Sequence, residues 1–308
     1  MRRFIISITL FVLSLITPFL VFEGVIASIN FHTGLEASYE EEIKSYAWIS
    51  QSLNIKDKKL SIICGSSTLK YGLDCDELNR LSKENFYVST AQDAGDPIRS
   101  YFILKSLQKD LVSKVYMGLD PWICTKYYYR HRKDIMYMDF SILEVFSFQS
   151  KHDQSAFLKR YRGLLQYLKP FNSDNAKTEV PERLGSGVRE PKSTEVKNPC
   201  ESYDEDFYWS RVQFLYLEKI VELCSENDWE LVFIKPPKHP KYIDYIREDC
   251  TEIQDEWNRK TAYLSSVSNV IDMEQVIEDS DHFNDGVHLN ALGQKAYSSI
   301  FKSLITKK

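Results

Sequence analysis

Short apolar runs that alternate with helical patterns constrain the fold of this chain more than any other feature. Residues 59–64, 114–119 and 230–234 are rich in aliphatic and β-branched side chains and stop next to glycine or proline. Residues 86–89 and 269–273 are shorter strand candidates. Short buried strands alternating with helices indicate a parallel sheet with helices on both faces. The sequence therefore predicts a three-layer α/β/α fold with a mostly parallel five-stranded sheet.

The segments between these runs carry helix signals. An aspartate followed by proline starts residues 96–111, and this pair suits an N-cap and a first helical position. Residues 207–226 are strongly amphipathic, residues 242–265 have a helical pattern, and an asparagine caps a last helix at residues 290–304. Further helices are predicted at residues 36–53, 141–149 and 153–168.

The first 30 residues predict a membrane anchor. Two arginines, residues 2–3, precede an apolar run over residues 4–22, and about 20 such residues cross a bilayer once. Basic residues before the run and acidic residues after it predict a cytoplasmic N-terminus and export of the rest of the chain. A cleaved signal peptide is the alternative, because residues 25–27 resemble a cleavage site. We predict an uncleaved transmembrane helix within residues 1–30.

The remaining chain is predicted to contain a linker and one domain. Residues 31–57 are expected to form an exposed helical linker that leads away from the membrane, and residues 58–308 to form the domain. Within the domain, residues 171–206 are rich in polar, glycine and proline residues and have hardly any apolar ones. That composition predicts a flexible insertion or a long loop.

Net charge and cysteine spacing argue against two classes of function, nucleic-acid binding and zinc binding by cysteines. The formal net charge is −5, and no segment combines basic and aromatic residues as a nucleic-acid groove does, so we expect no nucleic-acid partner. The six cysteines lack C-x-x-C or zinc-type spacing. Exported domains can form disulfides, but the sequence favours no particular pairing. Cys64 and Cys224 fall at apolar positions, where a free thiol packs as a small hydrophobic group.

Ser67 is the candidate nucleophile. It follows the strand at residues 59–64 in a Gly65-Ser66-Ser67 turn, at the predicted start of a helix. The first backbone N–H groups of a helix have no partner within the helix and can stabilise an oxyanion. A serine hydroxyl also needs a neighbouring base to take its proton. The alternative interpretation of this turn is a simple helix cap.

Asp285 and His288 are the candidate orienting acid and base. They form a D-x-x-H motif directly before the last helix, and this spacing can place the carboxylate beside one ring nitrogen and fix the tautomer. A second copy runs from Asp279 to His282, but no capped helix follows it directly. These acids and histidines are also metal-ligand types, although no ordered ligand spacing supports a metal site. We predict neither a metal nor another cofactor.

Candidate residues follow several of the predicted strands. Ser67, Gly95 and Asp120 each come shortly after one. The carboxyl ends of parallel strands meet at one edge of a sheet, and sites form there. We therefore expect these residues to lie near one another, with a helix cap as the alternative role for Asp120 because Pro121 follows it.

Two further segments are expected at the same edge. Trp122 begins an aromatic and basic stretch that includes residues 127–132, and such side chains can stack on sugar rings and pair with anionic groups. Ordinary packing is the alternative for this stretch. His239 lies in a proline-rich turn after the strand at residues 230–234 and is expected to shape the rim of the site.

Taken together, four motifs resemble those of the SGNH (GDSL-like) hydrolase superfamily. Members carry a serine after the first strand, a glycine after the second, an asparagine after the third, and D-x-x-H before the last helix. Ser67 takes the nucleophile position, with Ser66 in place of the usual aspartate. Gly95 matches the glycine whose N–H donates to the oxyanion, and Asp285 and His288 match the last motif.

This resemblance covers about residues 58–304 and implies a serine esterase or O-acyltransferase, with the N–H groups of Ser67 and Gly95 as the oxyanion hole. With its anchor, the chain looks like exported SGNH-like proteins of bacterial envelopes, which include polysaccharide O-acetylation components and the D-alanyl transfer protein of teichoic acid modification. The resemblance implies ester chemistry on a cell-envelope polysaccharide or related acylated polymer, and a membrane-bound acyltransferase as a partner.

One position departs from the family pattern. Asp120 stands where the family has an asparagine. An asparagine amide donates to the oxyanion, whereas an ionised carboxylate only accepts, and a lost donor typically costs about 10²–10³ in rate. We expect Asp120 to position substrate, together with Trp122. The alternative is a catalytically inactive binding or scaffold subunit of an envelope polysaccharide assembly.

Overall fold

The computed structural model describes residues 58–125, 180–191, 195–202 and 209–306, together with seven isolated residues between positions 14 and 55. Its centre is a five-stranded sheet in the order β2-β1-β3-β4-β5, in which every neighbouring pair is parallel. The predicted parallel five-stranded sheet is therefore confirmed. The strands are β1 (Lys59–Cys64), β2 (Asn85–Ser89), β3 (Val112–Gly118), β4 (Glu230–Lys235) and β5 (Asn269–Asp272).

Helices connect the strands in the described part of the chain. The α-helices are α1 (Ser67–Lys70), α2 (Cys75–Leu81), α3 (Pro97–Ser106), α4 (Arg211–Glu226), α5 (Pro240–Asp249), α6 (Thr251–Thr261), α7 (Leu264–Val267) and α8 (Ala291–Ile305). Short 3₁₀ helices lie at Lys109–Leu111, Pro121–Cys124, Glu182–Gly185, Pro199–Ser202 and Ser280–His282.

Side chains of single strands alternate between two apolar cores. In β1, Ile62 packs with one cluster and Ile63 with the other, as the two-residue period of a strand requires. The first cluster includes Leu104 of α3, Phe214 of α4 and Trp257 of α6. The second includes Leu69 of α1, Leu78 of α2 and Tyr297 of α8. Helices thus cover both faces, and the α/β/α layering follows from which side chains each face of the sheet buries.

Two predicted helices are divided in the structure. The helix predicted over residues 96–111 ends at Ser106, because Leu107 is extended (ψ 149°), and a separate 3₁₀ turn follows. The segment 242–265 forms α5, α6 and α7 rather than one helix. The first break is at Cys250 (φ −118°, ψ 26°), which is bonded to Cys200. Amphipathic periodicity continues across both breaks and does not reveal them.

The predicted exposed linker is buried where the structure describes it. Trp48 and Ile49 are each 2% exposed and belong to the core on the α3 and α4 face. Tyr46 also donates its hydroxyl to the carbonyl of Thr90 (3.2 Å) and accepts from the side chain of Gln92 (2.7 Å). The expectation of an exposed segment is therefore wrong at these positions, because a tryptophan and an isoleucine gain more from burial than from exposure.

The predicted insertion contributes a segment that packs on the domain. Residues 180–191, called the strap below, contain one 3₁₀ turn and otherwise no helix or strand. The strap is anchored by an ion pair between Arg183 and Asp74 (2.6 Å) and by Gly185, whose φ of +86° and close approach to the carbonyl of Ser89 leave no room for a side chain. Its polar composition concealed these contacts.

Several predictions fall outside the described residues. These are the membrane anchor within residues 1–30, apart from Ser14 and Thr17, the aromatic and basic residues 127–132, and the helices at 141–149 and 153–168. Within the part of the chain that is described, no helix has the length and apolar character needed to span a bilayer.

The cysteines divide into one bonded pair and four free thiols. Cys200 and Cys250 form a disulfide with their Cα atoms 5.7 Å apart, a pairing that the sequence did not indicate. Cys64 and Cys224 are buried as free thiols, as predicted, and so are Cys75 and Cys124. Burial raises the pKa of the Cys75 and Cys224 thiols to about 12, so both remain protonated at neutral pH.

Candidate active site

A tight turn after β1 presents Ser67 at the carboxyl edge of the sheet. Gly65 has a φ of +133° and packs against the backbone of Gly118 on the neighbouring strand, so only glycine suits this position. Ser66 is the N-cap of α1, and its Oγ accepts from the backbone N–H of Thr68 (3.4 Å). The cap holds Ser67 at the first helical position, where its backbone N–H has no acceptor within the helix.

Ser67, His288 and Asp285 form a continuous hydrogen-bonded chain. The Ser67 Oγ lies 2.7 Å from Nε2 of His288, a residue 221 positions away in the sequence. On the other side of the ring, Nδ1 lies 2.8 Å from Oδ2 and 3.0 Å from Oδ1 of Asp285. Because a carboxylate only accepts, Nδ1 carries the ring proton and Nε2 is left to accept from the serine hydroxyl. This is the arrangement of a nucleophile, a base and an orienting acid.

The loop around Asp285 fixes its carboxylate through the backbone. Oδ1 accepts from the N–H groups of Val287 and His288, both at 2.9 Å. The N–H of Asn284 donates to the carbonyl of His288 (2.8 Å), which closes the loop on itself. Asn290 then caps α8 by accepting from Leu292 and Gly293. The carboxylate therefore has little freedom to turn away from the imidazole.

The environment of Asp285 favours its ionised form. Burial alone would raise the pKa of this carboxyl, but the hydrogen bonds from the His288 ring and from two backbone N–H groups outweigh it and lower the pKa below the ordinary value. At neutral pH the group is therefore a carboxylate, as an orienting acid must be.

The second acid-and-histidine copy has a structural role. Asp279 caps the 3₁₀ turn Ser280–His282 by accepting from the N–H of Asp281 (2.9 Å). The carbonyl of His282 accepts from the N–H of Asn290 (3.0 Å), which places this turn beneath the start of α8. Among the residues that the structure describes, no group of three or more histidine, cysteine, aspartate or glutamate side chains has a geometry that could hold a metal ion.

Gly95 lies beside the nucleophile turn, but its N–H is already bonded. A Cβ at this position would lie 2.1 Å from the carbonyl oxygen of Gly65, so the two loops touch backbone to backbone. The N–H of Gly95 donates to the carbonyl of Gln92 (3.0 Å) across a turn. Its use as an oxyanion donor would require this hydrogen bond to be shared or broken.

Asp120 is buried at the same edge, directly after β3. Its side chain is 4% exposed, and one oxygen accepts from the N–H of Trp122 (3.0 Å), which caps the 3₁₀ helix Pro121–Cys124. Burial raises the pKa of this carboxyl above its ordinary value, while the charge of Lys238 lowers it. Lys238 itself is 3% exposed and forms an ion pair with Glu274. A buried carboxyl thus occupies the position at which the superfamily that the motifs resemble carries an amide donor.

Trp122 and His239 support the catalytic loop from its outer side. The indole N–H of Trp122 donates to the hydroxyl of Tyr242 (2.9 Å). The Tyr242 ring packs on Gly286, where a Cβ would lie 2.3 Å from the ring. His239 donates its backbone N–H to the carbonyl of Gly286 (3.0 Å), and its ring packs against Phe283. Trp122, expected with Asp120 to position substrate, therefore has a partner in Tyr242, and His239 lies against the loop that carries Asp285.

Two residues that contact the triad, Tyr71 and Arg189, were not predicted from the sequence. Tyr71 follows α1 and meets the His288 ring edge to face, with ring centroids 6.2 Å apart. The Arg189 guanidinium lies 4.3 Å from the centre of the Tyr71 ring and 3.7 Å from Oδ2 of Asp285. Neither residue belongs to a motif, and Arg189 lies in the segment predicted to be flexible, so no local signal marked them.

Comparison with known proteins gives matches of limited extent. A protein-family model matches residues 194–308, a segment that contains Asp285 and His288 but not Ser67. No curated protein matches the sequence.

Several solved structures are similar to this chain. A GDSL-like lipase from Bacteroides thetaiotaomicron is 13% identical, with 86% of this chain and 97% of that one covered and a TM-score of 0.43. A carbohydrate acetylesterase family member from Sinorhizobium meliloti is 9% identical (80% and 98% covered, TM-score 0.38). The aryl esterase of M. smegmatis is 10% identical (80% and 99% covered, TM-score 0.37).

Proposed function

We propose that this protein is a serine ester hydrolase or acyltransferase that uses Ser67, His288 and Asp285. The hydrogen-bonded chain from the Ser67 Oγ through His288 to Asp285 carries this proposal. Hydroxyl, imidazole and carboxylate meet in the order and at the distances that activation of a serine requires. The position of Ser67 at a capped helix start adds at least one backbone N–H near a developing oxyanion.

The reaction follows from the protonation states at the site. The Ser67 oxygen attacks the ester carbonyl while Nε2 of His288 accepts its proton, and Asp285 stabilises the resulting imidazolium. The tetrahedral intermediate collapses when His288 returns the proton to the leaving alcohol oxygen, which leaves an acyl group on Ser67. A second hydroxyl, deprotonated by His288, then attacks the acyl-enzyme and releases Ser67. Water as this second nucleophile gives an esterase, and an alcohol of a sugar or polyol gives an acyltransferase.

For the substrate, we propose an acyl ester of a cell-envelope polysaccharide or a related polymer outside the cytoplasm. The predicted anchor at residues 1–30 supports this location, and so does the Cys200–Cys250 disulfide, because such bonds persist mainly in oxidising compartments. The resemblance of the motifs to exported SGNH-like proteins points to the same class of polymer. A membrane-bound acyltransferase is the expected partner, since an exported enzyme depends on a supplied acyl donor.

The state of the expected oxyanion hole favours a second function. The buried carboxyl of Asp120 and the bonded N–H of Gly95 leave the expected oxyanion hole without two of its family donors. A domain of this kind could bind an acylated polymer without cleaving it. The alternative function is therefore a catalytically silent binding or scaffold subunit of an envelope polysaccharide assembly.

Labelling with a fluorophosphonate probe separates the two functions. We expect the exported part, kept from residue 31 so that Trp48 and Ile49 are retained, to be labelled at Ser67 and to hydrolyse p-nitrophenyl acetate. Ser67→Ala should abolish both. Ser66→Ala is the matched control, because it removes the helix cap, worth about 0.5–2 kcal/mol, and the contact with the Thr68 hydroxyl (2.9 Å) but leaves the three triad side chains, so it should still be labelled. A folded wild-type protein that takes up no probe would favour the scaffold instead.

Hydrolase and transferase are then distinguished by the acceptor. With labelled acyl donor, an esterase should release free acid at a rate that added glycerol or oligosaccharide hardly changes. A transferase should instead pass the acyl group to the added hydroxyl compound in proportion to its concentration, with the total turnover increased. Product analysis by mass spectrometry measures this partition directly.

A further inference from the structure

The strap lies across both chain segments that supply the triad. The N–H of Gly187 donates to the carbonyl of Lys70, at the end of α1 (2.8 Å). The carbonyl of Arg189 accepts from the N–H of Ala291, at the start of α8 (2.9 Å), and the carbonyl of Glu190 accepts from the side chain of Asn284 (3.1 Å). Backbone hydrogen bonds therefore fix the strap relative to the nucleophile on one side and to the catalytic loop on the other.

The strap places one cation against the triad. The Arg189 guanidinium stacks on the face of Tyr71, and its NH1 lies 3.7 Å from Oδ2 of Asp285. Tyr71 is held in turn because its hydroxyl donates to Asp93 (3.1 Å), which also pairs with Lys70 (2.6 Å). A guanidinium that is stacked and anchored in this way is oriented before any substrate arrives.

Arg189 and His288 interact with the same oxygen of the acid. Oδ2 of Asp285 accepts from Nδ1 of His288 at 2.8 Å and faces the guanidinium at 3.7 Å. An arginine remains charged throughout the working pH range. Its charge favours the carboxylate form of Asp285 and disfavours a second positive charge on the nearby ring, while the longer distance leaves the directed hydrogen bond to His288 intact.

We propose that Arg189 is a positioning residue that keeps Asp285 ionised and aligned and keeps His288 unprotonated and able to accept the proton of Ser67. This proposal rests on the proposed function and extends it by a fourth residue supplied from outside the sheet.

Other charged and titratable groups also face Asp285 and His288. Asp93 pairs with Lys70 and also interacts with the charge of Arg189, whereas Asp120 interacts with His288 and His239 with Asp285. Of these groups, only Arg189 lies within ion-pair distance of Asp285. The groups from each neighbouring element are Lys70 and Tyr71 after Ser67, Asp93 after β2, Asp120 after β3, His239 before α5, and Arg189 on the strap.

The test compares Arg189→Met, which has similar length and no charge, with Arg189→Lys, which keeps the charge. NMR titration of the His288 ring, assigned with His288→Gln, reads protonation directly and does not depend on turnover. We expect the midpoint in Arg189→Met to rise by about half a pH unit, the scale of a partly screened charge. Hydrolysis on the acid limb should then be about threefold slower than wild type, with a nearly unchanged plateau, and Arg189→Lys should stay close to wild type.

Arg183→Met is the control for loosening of the strap, because Arg183 anchors the strap through Asp74 and Gln294 and does not contact the triad. An unchanged midpoint in Arg189→Met, or an equal rise in Arg183→Met, would overturn the proposal in favour of a purely structural role. A raised KM for acidic esters with an unmoved midpoint would also overturn it and would assign Arg189 to substrate binding. If the ring midpoint shifts while wild type fails to hydrolyse esters, the positioning role holds and only the proposed activity fails.

Discussion

The nucleophile side and the oxyanion side of the site are built very differently. On the nucleophile side, Ser67, His288 and Asp285 are joined by hydrogen bonds of 2.7–3.0 Å, and the acid receives two further backbone N–H groups. On the oxyanion side, Asp120 brings a buried carboxyl, and Gly95 gives its N–H to Gln92. The geometry for proton transfer from Ser67 is therefore complete, whereas two of the expected donors to the oxyanion are absent or already bonded.

This contrast explains why the two proposed functions are close competitors. Removal of a single oxyanion donor typically costs about 10²–10³ in rate, while an intact acid and base still provide catalysis. Whether the chain is a slow esterase or an inactive binding subunit therefore depends on the donors available to the oxyanion. The predictions below test each side separately.

The largest effect is expected from Asp285→Asn, which tests the nucleophile side. The amide would favour the wrong tautomer of His288 and could not stabilise the imidazolium, so ester hydrolysis should fall by about 10⁴-fold. Steady-state kinetics with p-nitrophenyl acetate measures the change. Asp279→Asn, in the second acid-and-histidine copy, should change the rate less than about twofold because that acid only caps a turn. Equal losses in both variants would contradict the assignment.

The next largest effect is expected from Gly95→Ala, which tests the contact between the two sides. The added Cβ would lie 2.1 Å from the carbonyl oxygen of Gly65, so one of the two loops must move. We expect a loss of about 1–3 kcal/mol in the free energy of unfolding, together with reduced labelling of Ser67. Gly118→Ala is the control, since the atoms nearest to its Cβ would belong to the Leu69 side chain at 3.0 Å, and the nearest backbone atom would be the Cys64 carbonyl oxygen at 3.8 Å. Chemical denaturation should show a smaller loss for this variant.

A smaller change, but in the favourable direction, is expected from Asp120→Asn. The amide can still cap the turn by accepting from Trp122 and adds an N–H donor where the buried carboxyl has none. Hydrolysis at neutral pH should rise by about tenfold, which is less than the roughly 10²–10³ that one well-placed oxyanion donor contributes. A rate that falls instead would show that the carboxyl itself is needed, and would give Asp120 the substrate-positioning role expected from the sequence.

The smallest effect concerns the stability of the same variant. Because burial raises the pKa of Asp120 in the folded protein, ionisation of this group lowers stability as the pH rises through that pKa. The wild type keeps this stability only when the pH is below 3.8, the ordinary pKa of the carboxyl. Asp120→Asn should therefore stabilise the protein at pH 7 by on the order of 1 kcal/mol and have little effect near pH 3. Thermal unfolding at the two pH values measures the difference.

Local sequence signals predicted the sheet and, together with the motif resemblance, the candidate triad. The strand at Lys59–Cys64 was placed correctly to the residue, and the caps at Asp96 and Asn290 mark the starts of α3 and α8. Ser67 and the Asp285–His288 pair were found because a nucleophile turn and an acid-and-base loop are short motifs. Parallel strand order then brings their ends to one edge.

Contacts between distant segments were not accessible to the same signals. The strap looked flexible because its residues are polar, yet its backbone groups pair with Lys70 and Ala291. The linker was expected to be an exposed helix leading away from the membrane, yet Trp48 and Ile49 complete a core. The disulfide between Cys200 and Cys250 follows no spacing rule. In each case, the partner is chosen by proximity in three dimensions.

The sequence by itself determined the α/β class and the strands, and it predicted Ser67, His288 and Asp285 as nucleophile, base and orienting acid. These depend on periodicity, capping and motif chemistry, which act over a few residues. Only the tertiary structure decided that the hydroxyl and the imidazole touch, that Arg189 faces Asp285, and that Asp120 is buried with raised pKa. Distances and desolvation arise when remote segments pack together, so no local pattern can encode them alone.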